Sequence, residues 1–427
     1  MTRPGQTERC AIRLAQWQRN LIGVLIAAFV SILGFNLTFP FLPLYIQQLG
    51  VSDAGRAAFW AGVIGSVAGV LSAVVAPLWG GLADRRGRRP MLVRATAGSA
   101  VGLVVMGLAP GLLVLLAGRI AFGLMAGTVP AANPLIAANT PPEYVSGAMG
   151  ALQSSVYVSN AVGPLVGGVL ASTVGYRVTF LITAGLYIAS ALPVLLLVRE
   201  TFTPPERVTP LLPGMAANFR FVFARGEIVQ PMVAAFLAYA GVSMMQPVLP
   251  LHIRDLIGEG SVERATGVAV GLQGLASTVT ALLIGRVTRR IGFAPLLYVG
   301  PPLLGAAYVA LWAADRFLVF VVALVALGAV QGLVVTALTS LVALRAPRER
   351  AGAVFGVVTS VNSFAFSGAP FFGGFAASAF GLRAVFPISA ALMVAMMAVC
   401  VQAIGRGVPT RLGPRARGTT DRGGRSP

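Results

Sequence analysis

The stretch from Gly80 to Leu92 constrains the fold more than any other part of the chain. It reads Gly-Gly-Leu-Ala-Asp-Arg-Arg-Gly-Arg-Arg-Pro-Met-Leu and separates two long apolar segments, at about 57–83 and about 91–109. Each segment approaches the ~20 residues that a helix needs to cross a lipid bilayer. A short loop rich in arginine resists translocation, so we expect it on the cytoplasmic side. The hairpin therefore predicts a helical membrane protein and sets its orientation.

The composition agrees with a membrane protein and excludes a soluble one. Hydrophobic residues make up 56% of the 427 residues and charged residues only 11%, a balance typical of chains with many membrane spans. The net charge of +19 comes from 32 basic residues, all of them arginine. Apart from Arg119, which lies inside an apolar run, the arginines expected outside are only Arg56, Arg177, Arg254, Arg264, Arg316 and Arg383. This bias indicates attraction to anionic lipid headgroups at the cytoplasmic face and not a nucleic-acid surface.

Twelve apolar runs predict an all-α membrane protein with twelve transmembrane helices in two pseudo-symmetric six-helix halves. The runs lie near 21–46, 57–83, 91–109, 111–133, 144–170, 176–198, 229–253, 265–288, 293–313, 316–341, 350–378 and 383–405. The predicted organisation is a cytoplasmic tail at 1–20, a first half at 21–198, a proline-rich cytoplasmic linker at 199–228 and a second half at 229–405. A disordered cytoplasmic tail at 406–427 follows. An even number of spans leaves both termini on the cytoplasmic side of the plasma (inner) membrane.

Sequence landmarks recur between the halves at an offset of about 206 residues. Pro-x-x-Pro-Leu-x-Ile begins at residue 40 and again at 247, Pro-x-x-Gly-Gly at 164 and 370, and Arg-x-x-Phe at 177 and 383. The recurrence predicts two parallel repeats of six spans each. One landmark is asymmetric, because Asp84 of the first hairpin corresponds to Arg289.

Two motifs carry a family resemblance. The pattern Gly80-x-Leu-Ala-Asp84-Arg85-x-Gly87-Arg88-Arg89 resembles the signature between the second and third spans of major facilitator superfamily transporters. In the fifth span, Gly163-Pro164-x-x-Gly167-Gly168 resembles the motif of the bacterial drug:proton antiporters of that superfamily. The resemblance implies alternating access, export of varied amphipathic compounds and inward movement of protons. In physical terms the glycines permit close helix packing and the proline bends the span.

The charged hairpin is a candidate conformational latch. Asp84 should face the start of the eleventh span, where Arg350 and a helix N-terminus are both positive, and Glu143 could pair with Arg88. Breaking these contacts would accompany opening to the cytoplasm. The predicted latch consists of Gly80, Asp84, Arg85, Gly87, Arg88, Arg89, Glu143 and Arg350.

Arg119 is the second candidate site, since an arginine inside a span is costly and points to function. The pattern Arg119-x-x-x-Gly123-x-x-x-Gly127 resembles the fourth-span motif of proton-coupled efflux members. Many such antiporters carry an acid in an early span, but the first span here has none. Asp84 and His252 are therefore further candidates for proton coupling.

Polar, aromatic and methionine side chains along several spans predict a promiscuous apolar cavity. The candidates are Asn36, Phe39, Gln153, Tyr157, Tyr239, Met244, Met245, Gln246, Gln273, Asn362 and Phe366. The expected partners are a small-molecule substrate, protons and anionic lipids, and we expect a monomer.

Two other functions are alternatives to drug export. A transporter for one sugar, metabolite or anion, uncoupled from protons, fits the same architecture. A membrane-embedded enzyme fits poorly, because it needs acids, histidines or a nucleophile–base pair gathered in one cavity. Cys10, Cys400 and the single His252 lie far apart in the sequence, so no metal, cofactor or disulfide is indicated.

Overall fold

The structure is a computed structural model that describes residues 15–200, 211–258, 260–347 and 350–405. Fifteen helices account for nearly all of this part of the chain. They are α1 Gln16–Thr38, α2 Leu42–Gln48, α3 Ala54–Arg86, α4 Arg88–Gly107, α5 Leu112–Met125, α6 Thr128–Asn139, α7 Pro142–Leu197, α8 Leu211–Phe223, α9 Gly226–Met245, α10 Leu249–Ile257, α11 Val262–Ile291, α12 Ala294–Ala313, α13 Phe317–Arg345, α14 Ala351–Phe380 and α15 Val385–Gly405. The C-terminal tail predicted at 406–427 lies outside the described residues, as do residues 1–14 of the N-terminal tail.

The helix inventory accommodates twelve membrane crossings. Within the described residues, ten helices are long and apolar enough to cross a bilayer. One of them, α7, contains a bend at Gly175 with a non-helical backbone and therefore forms two crossings. The shorter apolar helix α5 and the following helix α6 together form the remaining crossing.

Three predicted spans are interrupted where continuous helices were expected. The predicted span 111–133 breaks between Met125 and Thr128, so α5 and α6 are separate helices. The spans predicted at 21–46 and 229–253 break before α2 and α10, each beside the repeated proline motif. Proline has no amide hydrogen and cannot continue the hydrogen-bond ladder. Helix α1 begins at Gln16, within the predicted tail 1–20.

The two halves share equivalent contacts, which confirms the internal repeat. Arg177 donates to the carbonyl of Ala109 at 3.1 Å. Its equivalent in the second half, Arg383, pairs with Asp315 at 3.0 Å, and Asp315 follows Ala109 by the same offset. The same arginine thus ties the same two spans together in each half.

The turn between α3 and α4 explains part of the charged hairpin. Gly87 has φ +92°, a left-handed conformation that strongly favours glycine. The carboxylate of Glu200 accepts hydrogen bonds from the backbone amides of Arg88 at 2.8 Å and Arg89 at 2.8 Å. An anion at a helix N-terminus satisfies otherwise unpaired amides and opposes the helix dipole. The hairpin is therefore held to the end of α7 in its own half.

The two halves meet at one face of the bundle. We call the end of the bundle that carries the α3–α4 turn the basic face, and we call the other end of the bundle the opposite face. The pairs α3–α14 and α7–α11 pack closely on the opposite face, where Gly62 lies against Pro370 and Gly168 against Glu263.

Nearer the basic face, a methyl group added to Gly80 of α3 would meet no atom of another helix within 4 Å. The largest cluster of buried apolar residues contains residues of both halves, whereas two smaller clusters, which include Leu92 and Val354 near the basic face, each belong to one half. The two halves therefore diverge towards the basic face.

Candidate functional site

Two cavities lie between the halves near the middle of the helices, and they share Phe35 and Phe39. The larger has a volume of about 210 Å³ and contains Arg119, so we call it the arginine cavity. Its other lining residues are Gly65, Ala68, Gly69, Ser72, Phe122, Gly123, Ala126, Phe366 and Ser367. The smaller, of about 70 Å³, is lined by several amide side chains, so we call it the amide cavity.

Arg119 sits in an aromatic cage within the first half. Its side chain is only 5% exposed, and its Nε atom has no hydrogen-bond partner in the described structure. The guanidinium carbon lies 5.3 Å from the ring centre of Phe35, 5.1 Å from that of Phe39 and 5.2 Å from that of Phe122. Ring faces attract a cation, more strongly when both are shielded from water. The cage therefore lowers the cost of burying this charge without neutralising it.

The amide cavity adds four polar side chains, Asn36, Gln246, Thr266 and Gln273, to a mostly apolar lining. Asn36 donates to the side-chain oxygen of Asn160 at 2.9 Å. Gln246 and Thr266 come from the second half, and each has a buried side-chain oxygen with no partner among the described residues. An occupant with hydroxyl or amide donors could satisfy these oxygens.

The predicted cavity residues divide into two groups. The residues that line one of the two cavities are Asn36, Phe39, Met245, Gln246, Gln273 and Phe366. The residues that line neither of these two cavities are Gln153, Tyr157, Tyr239, Met244 and Asn362. Phe35 was missed, although it lies one helical turn before Phe39 on the same face of the first span.

The paired glycines of the fifth span have separate packing partners. A methyl group on Gly167 would lie 2.4 Å from the carbonyl oxygen of Leu37 in α1 of the same half. A methyl group on Gly168 would lie 2.5 Å from the carbonyl oxygen of Glu263 in α11 of the other half. The first glycine thus holds one half together, and the second allows the two halves to touch.

The equivalent glycines of the second half repeat this arrangement. Gly373 packs against Met244, which follows Leu37 by the repeat offset, and Gly374 packs against Ala58 in the first half. Pro164 is inside α7 and Gly163 packs against Asn36. The motif therefore sets helix spacing at two symmetric places.

A polar seam joins the halves on the opposite face. Tyr176 donates a hydrogen bond to the carboxylate of Glu263, and Arg254 donates to Gln47 at 2.7 Å. Arg264 donates to Ser172 at 2.9 Å. Sequence reasoning missed this seam, because its residues lie at span ends and belong to different halves.

The predicted latch residues lie on the basic face. Arg85 is exposed, Arg88 and Arg89 are half-buried beside Glu200, and Glu143 is exposed at the start of α7. Arg350 precedes α14, and its guanidinium lies over the ring of Phe221 at 4.5 Å. The side chain of Asp84 lies outside the described part of the structure, so the latch contacts stay a prediction.

His252 lies away from both cavities. It is 1% exposed and packs against the rings of Phe320 and Phe386, with centroid distances of 5.2 Å and 5.3 Å. Tyr45 occupies the equivalent position of the first half and packs against Phe180. His252 thus fills a repeated aromatic position near the opposite face.

Arg94 is a second charge inside a span, half-buried, that the sequence analysis did not single out. Its guanidinium carbon lies 3.6 Å from the ring centre of Trp79, and Trp79 donates to the carbonyl oxygen of Leu124 at 2.8 Å. That carbonyl lies at the end of α5, where the helix break leaves it without an intrahelical partner. The signal was present, because Arg94 falls inside the third predicted span.

Two six-helix halves around central cavities, joined along one face, define a secondary membrane transporter. The model of the Major Facilitator Superfamily matches residues 24–256 and 231–423. The chain belongs to this superfamily and is a multi-pass inner-membrane transport protein, not an enzyme.

Curated relatives match over nearly the whole chain. The multidrug resistance protein MdtG of Serratia proteamaculans (strain 568) is 31% identical, and the match covers 90% of this chain and 93% of that protein. MdtG of Escherichia coli (strain SMS-3-5 / SECEC) is 31% identical over 88% of this chain and 92% of that protein.

Solved structures share the fold at low identity. A bacterial homologue of the human lysosomal transporter Spinster, inward-facing and unoccupied, has a TM-score of 0.76 and 18% identity, covering 96% of this chain and 100% of that one. The human organic anion transporter MFSD10 has a TM-score of 0.64 and 21% identity, covering 91% of this chain and 100% of that one.

Proposed function

We propose that the protein exports amphipathic small molecules by alternating access, in exchange for protons. The observation that carries the proposal is the position of the two cavities, between halves that touch on one face and diverge towards the other. A rocking motion that closed the basic face and opened the seam would expose the same cavities to the other side of the membrane.

The basic face is cytoplasmic in this proposal, and so are both termini. Arginine is concentrated there, in the hairpin and in the last turns of α11 and α13. Short positive loops stay on the cytoplasmic side and attract anionic lipids. The described conformation is then open to the cytoplasm, and the seam is the closed periplasmic gate. A monomer suffices, since the cavities lie within one chain.

The hairpin acts as a latch in the opposite conformation. When the basic face closes, α3 and α14 approach each other, and Asp84 pairs with the positive start of α14 near Arg350. In the conformation described here, Gly80 of α3 and Gly352 of α14 both lie in open space. The latch would therefore stabilise the state that faces the periplasm.

Two observations support a broad range of substrates: the side chains that line the cavities and the similarity to multidrug resistance proteins. Phe35, Phe39 and Phe366 offer ring faces, and Met245 offers a flexible thioether. Such surfaces adapt to varied apolar bodies. The relatives that share 31% identity are named multidrug resistance proteins.

Proton exchange requires a group that changes charge during the cycle. Asp84 and His252 are the candidates from the sequence, and Glu263 joins them because its partner Tyr176 belongs to the other half. Opening the seam would break that hydrogen bond and expose the carboxylate. A proton gradient would supply about 1.4 kcal/mol per proton for each pH unit.

An uncoupled transporter of a narrow range of metabolites or anions is the second candidate. It is favoured by the absence of any Asp or Glu from the apolar cores of the spans. Drug:proton exchange at a membrane-buried acid is therefore not available to this chain.

Two experiments separate these functions. In the first, cells that lack the protein and cells that overproduce it are compared on a panel of unrelated amphipathic toxins, with empty-vector cells as the control. Altered resistance to several compounds supports multidrug export, whereas a shift for one metabolite alone supports the narrow transporter.

In the second, the purified protein is reconstituted in liposomes that contain a pH-sensitive dye. Substrate added outside should move protons, and an imposed pH gradient should drive substrate flux. If neither occurs while substrate still equilibrates faster than in protein-free liposomes, proton exchange is refuted and a facilitator replaces it.

A further inference from the structure

We propose that the arginine cavity binds the anionic group of an amphipathic substrate, a carboxylate on an apolar body, with Arg119 as its counter-ion. This inference rests on the proposed transport function and names the substrate class of the same site.

Among the described residues, Arg119 forms no ion pair with an acid. The segments 54–83, 85–142 and 144–199 of the first half contain no Asp or Glu. The segments 228–254, 264–314 and 316–348 of the second half contain none either. A cation inside a bilayer is costly unless it has a partner. The missing negative charge must therefore come from outside the chain.

The guanidinium is built into the cavity and still has bonding capacity. Arg119 is only 5% exposed, and its Nε hydrogen has no acceptor in the described structure. The three surrounding rings stabilise a positive charge but accept no strong hydrogen bond. A planar guanidinium can bind a carboxylate through two parallel hydrogen bonds.

The shape and chemistry of the cavity fit an apolar body attached to that carboxylate. The volume of about 210 Å³ is bounded by Phe35 and Phe39 from the first half and by Phe366 from the second. Ser72 and Ser367 add hydroxyls at the edge. An occupant would contact both halves at once, so its charge could influence how the halves move relative to each other.

The amide cavity extends the same substrate description. It shares Phe35 and Phe39 with the arginine cavity. At its far side the unpartnered oxygens of Gln246 and Thr266 require hydrogen-bond donors. The best-matched substrate carries an anionic group at one end, an apolar middle and hydroxyl or amide donors at the other.

Paired probes of equal size test the charge preference directly. Full-length protein in phosphatidylcholine nanodiscs is titrated with 1-naphthylacetate and with neutral 1-naphthylacetamide by isothermal titration calorimetry. We expect the anion to bind about ten- to hundredfold more tightly, as a charge-assisted hydrogen-bonded pair should. Arg119→Gln should remove this preference, and Arg119→Lys should retain part of it, which also guards against a variant that simply misfolds.

The matched control is Arg316→Gln, which removes an exposed arginine far from the cavity. It should leave the preference unchanged. The titrations are repeated in nanodiscs that contain phosphatidylglycerol, because an anionic lipid headgroup shares the carboxylate's chemistry. An anionic surface repels the anion from any site, so only a weakening that is larger for wild type than for Arg119→Gln would identify the lipid as a competitor at Arg119.

The proposal is overturned if acid and amide bind equally, if neither binds to folded wild-type protein, or if folded Arg119→Gln keeps the preference. Such a result would leave the proposed export intact, because toxin resistance is measured independently in cells. If the protein confers no toxin resistance in cells but still prefers the anion in the titrations, the transport proposal is refuted and the binding site is supported.

Discussion

Replacement of Gly168 by alanine should shift the protein towards the conformation with an open seam. The added methyl group would lie 2.5 Å from the carbonyl oxygen of Glu263, whereas ordinary contact begins at 3.4 Å. The two helices must therefore separate by about 0.9 Å. Overpacking of this kind costs about 1–3 kcal/mol. Only the state with a closed seam bears this cost, so the equilibrium should move by about 5- to 150-fold.

Gly167→Ala should behave differently, although it is the adjacent residue. Its methyl group would lie 2.4 Å from the carbonyl oxygen of Leu37, which belongs to the same half and moves with it in a rocking motion. We expect lower thermal stability and no bias between conformations. Gly185→Ala is the matched control, because that position of α7 has nothing within 4 Å.

Spin labels across the seam can report the shift. Gln48 and Asp255 are exposed, equivalent positions at the ends of α2 and α10. Cysteines placed there, after Cys10 and Cys400 are changed to serine, allow distances to be measured by double electron–electron resonance. Gly168→Ala should add a population with a longer distance. An unchanged distance distribution in a folded variant would refute this account of the motif.

Three further changes have expected outcomes. Asp84→Asn should abolish transport at near-normal membrane abundance, because it acts on a conformational equilibrium; full efflux at matched expression would exclude the latch. Tyr176→Phe removes the hydrogen bond to Glu263 and should increase the long-distance population of the same spin pair, and an unaltered population would show that the seam does not depend on it. Trp79→Phe leaves the carbonyl of Leu124 unpaired and should cost about 1–3 kcal/mol of stability. An unchanged melting temperature in detergent would contradict that role.

Much of the fold could be predicted because membrane helices are recognised by their length and hydrophobicity. The repeat was visible because proline and glycine landmarks mark sites where backbone geometry or close packing leaves little choice. The breaks at Met125–Thr128 and before α10 were less visible. A short interruption of the helix keeps an apolar composition, so the hydropathy of the sequence does not reveal it.

The site was predictable only in part, for a physical reason. Arg119 stands out in any sequence because a charge in a span is rare. The cage around it combines Phe35 with Phe122 from another span, and the sequence does not indicate that these rings converge. The seam was missed for the same reason, since Tyr176 and Glu263 are 87 residues apart.

The hydrogen bond between Arg254 and Gln47 joins positions 207 residues apart, which are equivalent in the two repeats. Residues that are equivalent by a twofold relation can touch only near the axis itself. A chain with two identical halves would therefore set like against like at this point, and two arginines there would repel each other. Arginine only donates, so the pairing of Arg254 with Gln47 requires halves that differ at this position. The hydrogen bond between Arg254 and Gln47 at the pseudo-symmetry axis could therefore form only after the two repeats had diverged in sequence.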